Sequence, residues 1–211
     1  MAATPVIHSP PAVKDDPKGW SLTVVGYSTA CLGLVAFLTI NGSAGLSSAA
    51  GMVTAILIVA GLVIPAFGML QKARVVNPVQ RGARRGLDMQ AAGLVGLLVG
   101  VILIVFISSF SGYVAGAGLV AVSGVFAFAG VSFFRKYAGR ITILALGTIL
   151  IFLGVELIAI SNVAAADYLV SQLENTILAD VGATVTAYGC VVSAYTFFVL
   201  PQGWGSASAH N

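Results

Sequence analysis

Six long apolar stretches, residues 21–41, 48–70, 91–110, 115–134, 141–161 and 181–200, alternate along the chain with short polar segments. A helix rises about 1.5 Å per residue, so roughly 20 apolar residues cross the hydrocarbon core of a bilayer. A strand reading fails on length and on the lack of strict alternation. The pattern predicts an all-α membrane protein: a six-transmembrane-helix bundle over residues 21–200, a Pro-rich arm over 1–20 and a tail over 201–211.

Between the fifth and sixth stretches, Leu169, Leu173 and Ile177 recur at helical spacing, while Asp167, Glu174 and Asp180 fall elsewhere. Such a pattern predicts a short amphipathic helix on the outer interface, or a polar loop that happens to be helical. Residues 33–72 and 100–136 share one order: apolar span, Gly/Ser turn, apolar span, base. That order fits a repeated helical hairpin, and equally any chain of hairpins whose basic loops share one side.

The bases set the orientation. Lys14 and Lys18 precede the first span; Lys72, Arg74, Arg81, Arg84 and Arg85 lie between the second and third; Arg135, Lys136 and Arg140 lie between the fourth and fifth. With six spans, all 10 fall on one side. Cytoplasmic loops collect Lys and Arg, so both termini are expected in the cytoplasm and the protein in the cell (inner or plasma) membrane. The N-terminal segment has Pro5, Pro10, Pro11 and Pro17 and no apolar signal-peptide middle, and reads as a retained, extended arm.

Composition strengthens the membrane reading. Charged residues make up 8% of the chain and hydrophobic ones 58%, whereas a water-facing domain carries about a quarter charged residues. Lipid must therefore cover the surface. The net charge of +3 implies no nucleic-acid partner, because no aqueous face remains to carry a basic stripe. Cys31 and Cys190 sit inside apolar stretches, as small packing residues.

The chemistry is notable for what it excludes. His8 and His210 are the only histidines and both lie in the tails, so no span offers haem ligands or a histidine-rich metal site. The predicted spans contain no lysine for a Schiff base, and their serines have no neighbouring base. Neither an enzyme nor a bound cofactor is expected. Glu156 is the one ionisable residue well inside a span. A charge there costs about 2.5–3.5 kcal/mol on insertion scales. It is expected to face the interior, a water-filled path or a partner subunit, or else to sit protonated against a carbonyl. Asp88 beside Arg84 and Arg85 reads as a charge at a helix start. Hydroxyls such as Tyr27, Thr29, Thr148 and Tyr195 are packing groups by default. Gly96 and Gly100 form a GxxxG pair, and Pro65 interrupts the second span.

Across the first span the chain reads Asp16-Pro-Lys-Gly-Trp-Ser-Leu-Thr-Val-Val-Gly-Tyr-Ser-Thr29. This resembles the opening signature, roughly NPAPLGLxxFGxTT, of the six-helix acetate/succinate transporter family, with Pro17, Leu22, Gly26 and Thr29 in matching positions. Gly68-Met-Leu-Gln71 looks like that family's GxxE, Gly124-Val-Phe126 and Ala-Gly-Arg140 have counterparts, and Tyr195 falls near a tyrosine of its last helix. Asp16 replaces the signature asparagine, and Val25 and Ala92 stand where pore-narrowing aromatics would map. The resemblance implies a channel or transporter for small solutes such as acetate or succinate. Its path would include Gly26, Tyr27, Thr29 and Tyr195 together with Glu156. A second reading stays open: a non-catalytic accessory subunit of a larger respiratory or photosynthetic membrane complex, in contact with lipid and neighbouring subunits.

Overall fold

The computed structural model describes residues 18–40, 49–75, 81–107, 109–133, 138–166 and 172–199. These form six helices: α1 (Lys18–Ile40), α2 (Ala49–Val75), α3 (Arg81–Phe106), α4 (Phe110–Ser132), α5 (Ala138–Ala166) and α6 (Gln172–Val199). There is no strand among the described residues. All six helices are long and apolar enough to cross a membrane. The arm before Lys18 and the tail after Val199 lie outside the described residues.

Helices α2, α3, α5 and α6 run past their apolar stretches. α2 continues through Lys72 and Arg74, and α3 begins at Arg81, ahead of the predicted start at residue 91. Apolar content marks where lipid begins, but helical hydrogen bonding continues into the headgroup layer, where long basic side chains reach water. Arg84 and Asp88 pair across one turn there at 3.9 Å, an exposed contact worth little. The short outer helix expected before the sixth span is not a separate element among the described residues. Leu173 and Ile177 lie in the first turns of α6, which runs unbroken from Gln172, and Leu169 falls outside the described residues. Extending an existing helix costs far less than nucleating a second one, and no Gly or Pro interrupts residues 172–181.

Consecutive helices pack antiparallel, and α6 closes against α1, so the six form a ring. The tightest pairs are the hairpins α1–α2, α3–α4 and α5–α6. A short turn joins α3 to α4, where the Ser109 hydroxyl accepts from Gly112 N–H at 3.2 Å and caps α4.

Glycines at every seventh position make these hairpins tight. They are Gly19, Gly26 and Gly33 in α1; Gly86, Gly93 and Gly100 in α3; and Gly147 and Gly154 in α5. Each faces its hairpin partner. A Cβ on Gly26 would run into the Pro65 ring, one on Gly93 would meet Ala127 Cβ at 2.6 Å, and one on Gly147 would meet Ser193 Oγ at 2.5 Å. One helical turn or two further on, Gly33 faces Ile58, Gly100 faces Gly116 and Val120, and Gly154 faces Gly182 and Thr186. The three hairpins therefore share one packing register. In a bilayer, apolar area drives little helix association, so this close backbone approach holds each pair together. The register also turns the likeness between residues 33–72 and 100–136 into a threefold repeat of packing. Pro65 sits inside an unbroken α2 with its ring against Gly26, where it serves helix packing.

Candidate functional site

The basic end of the ring carries a buried aromatic group. Trp20 at the start of α1 and Phe197 near the end of α6 have ring centroids 5.4 Å apart, and Tyr27 stacks on Phe197 at 6.1 Å. The Lys72 ammonium lies 5.1 Å over the Trp20 ring. Lys72 is only 4% exposed. Expected in the loop, it stands on the inner face of the last turn of α2, one turn beyond Gly68, which packs on Gly19. A cation over an indole is attracted by the ring quadrupole, more strongly once water is excluded.

Deeper in the ring, Tyr27 borders a void of about 10 Å³ that it lines with Gln90 and Leu94 of α3, Ala127 of α4, and Thr148, Ile151 and Phe152 of α5. Such a space matches one water-sized sphere. Tyr27, Leu94 and Thr148 each directly follow the corresponding glycine (Gly26, Gly93 and Gly147), so the three hairpins deliver them to one level. Gln90 is buried, and neither atom of its amide has a hydrogen-bond partner among the described residues. Leaving a buried polar group unsatisfied costs roughly 1–3 kcal/mol. The Thr148 hydroxyl donates to Leu144 O at 2.9 Å, which leaves its oxygen an acceptor.

The five residues singled out from sequence separate in space. Tyr27 lines the void, and Gly26 is the α1–α2 contact, so Gly26→Trp would separate two helices before it could plug a path. Thr29 is half-buried, with its hydroxyl bonded to Val25 O at 2.8 Å. Tyr195 faces outward at 58% exposure. Glu156 is half-buried, one turn beyond the Phe152 ring that lies over Gly124 of α4, and its Oε2 is enclosed without a hydrogen-bond partner among the described residues. Most other span hydroxyls bond back to their own helices, as Thr54, Thr186 and Thr196 do. Val25 and Ala92 both face outward. The aromatic side chains buried inside the bundle among the described residues are instead Trp20, Tyr27, Phe152 and Phe197.

Gln90, Trp20 and Phe197 are interior residues that the sequence reading did not single out, and Thr148 and Lys72, read there as a packing hydroxyl and a loop base, are interior too. Their signal was positional: Gln90 lies one turn before Leu94 and Thr148 one turn before Phe152, on the faces that the glycine spacing turns inward. Comparison with known proteins finds no matching family model, no matching curated protein and no matching solved structure. The likeness to acetate/succinate transporters rests on the residues quoted above.

Proposed function

We propose that this chain conducts a small solute along the axis of its helix ring, with both termini in the cytoplasm and Tyr27 at the narrow point. The observation that carries this is the uncharged, largely apolar void to which Tyr27, Gln90 and Thr148 bring polar groups, inside a bundle whose outer faces are apolar. The unpartnered amide of Gln90 costs roughly 1–3 kcal/mol at rest, which a solute or water that hydrogen-bonds to it would offset. No lining residue is charged, so the solute crosses uncharged; acetate or succinate, which the resemblance implies, would cross as the protonated acid. The test is uptake by liposomes holding the purified protein. Solute entry no faster than in empty liposomes would remove the reading.

The ring belongs to a larger particle, most simply of identical chains. Tyr188 and Tyr195 of α6 point outward where lipid would leave their hydroxyls poorly served, and the exposed Thr184 hydroxyl, which donates to Asp180 O at 2.8 Å, keeps an oxygen free to accept. Gly154 packs on Thr186, which places Glu156 and Thr184 at similar depth on neighbouring helices. In copies arranged about the membrane normal, depth is preserved, so a Thr184 hydroxyl of one copy can meet the Glu156 carboxyl of the next. Interhelical hydrogen bonds in bilayers are worth about 0.6–2 kcal/mol. Glu156→Leu should therefore weaken association roughly three- to thirtyfold, read by native mass measurement on dilution in detergent, while Glu156→Gln should retain most of it. Co-extraction with different subunits would favour the accessory reading, to which the same outward hydroxyls lend support.

A further inference from the structure

Gln90 presents a donor and an acceptor on one planar group, enclosed in the ring and facing a void. Its stem is fixed: α4 approaches so closely at Gly130 that a Cβ there would meet Gln90 Cγ and N, each at 3.1 Å. Its amide Oε1 and Nε2 have no hydrogen-bond partner among the described residues. Around it stand the Tyr27 and Thr148 hydroxyls and the apolar Leu94, Ala127, Ile151 and Phe152. An ion here would lose its hydration with no countercharge, which is prohibitive. A solute with only hydroxyls can bridge both amide positions only by fixing the rotations about its C–C and C–O bonds, at a cost in entropy. A neutral group with donor and acceptor side by side can satisfy both.

We infer that Gln90 is the recognition group of the path, binding small uncharged solutes that carry a hydrogen-bond donor and acceptor on one planar carbon. Undissociated carboxylic acids and primary amides share that chemistry. The solute's O–H or N–H donates to Gln90 Oε1, and Gln90 Nε2–H donates to the solute carbonyl. The inference rests on the conduction reading. The void admits one water at rest, so the solute displaces that water and turns the Tyr27 ring aside.

The test uses the full chain in liposomes, with stopped-flow light scattering and acetamide, acetic acid and ethylene glycol as solutes. Acetamide should enter faster than ethylene glycol relative to empty liposomes, at a rate independent of pH. Protein-dependent entry of acetic acid should rise as pH falls, following its undissociated fraction. Gln90→Leu and the closer isostere Gln90→Met should slow acetamide on the order of tenfold, since a site built to hydrogen-bond loses that discrimination when the bonds go, and should slow ethylene glycol several times less. If the wild type passes none of the three, conduction itself fails. If it passes acetamide and ethylene glycol alike, or both variants slow the two equally, conduction stands and recognition by Gln90 is overturned. Loss of water permeability alone would mean that the amide holds only water, which also overturns it.

Discussion

Gly61→Leu should leave little folded protein. A Cβ on Gly61 would overlap the N, Cα and Cβ of Ala30 in α1, which are backbone and stem atoms that cannot step aside as a flexible side-chain tip can. The substitution must push α1 and α2 apart along their whole contact, and with them the neighbouring Gly26–Pro65 and Gly33–Ile58 approaches. Overpacking costs about 1–3 kcal/mol in adaptable cores and more where backbone is the obstacle. A loss of roughly 3 kcal/mol or more is therefore expected, read as a collapse of the monodisperse fraction and of the melting temperature in detergent. Gly118→Leu supplies the contrast. Gly118 has nothing within 4 Å of an added Cβ, so stability should stay within about 0.5 kcal/mol. Equal damage at the two sites would sink the close-packed account of the hairpins.

Tyr27→Ala should have the second large effect, raising solute flux on the order of tenfold, which corresponds to about 1.4 kcal/mol off the barrier. The ring lines the void and stacks on Phe197, so its removal would widen the proposed path at that level. A folded Tyr27→Ala protein in liposomes whose flux equals that of the wild type would place the limiting step elsewhere. No flux above empty liposomes in either protein would favour the accessory role.

The number of spans, their approximate positions and the clustering of bases at one end were legible in the sequence, because lipid imposes length and polarity on every crossing segment. Which face of each helix turns inward was not. In water, an apolar stripe separates core from surface, but here both sides are apolar and that contrast vanishes. Tyr27 and Tyr195 look alike along the chain, yet one lines the interior and the other faces outward. The phase is instead carried by the sevenfold glycine spacing, a subtler signal than hydropathy. Gln90 escaped notice, and Lys72 was placed in a loop, for a second reason: they lie just beyond the apolar stretches, in turns that the helices nonetheless complete.

The hairpin repeat has a directional consequence. Three matched scaffolds bring three unlike groups to one level, the ring and hydroxyl of Tyr27, the aliphatic Leu94 and the hydroxyl of Thr148. A symmetric throat would let a small molecule tumble as it passed. On the proposed path, a wet wall and a greasy wall stand at the same height, which would hold a passing molecule to one heading. Exchanging a single residue after a glycine would alter that heading without disturbing the frame that carries it.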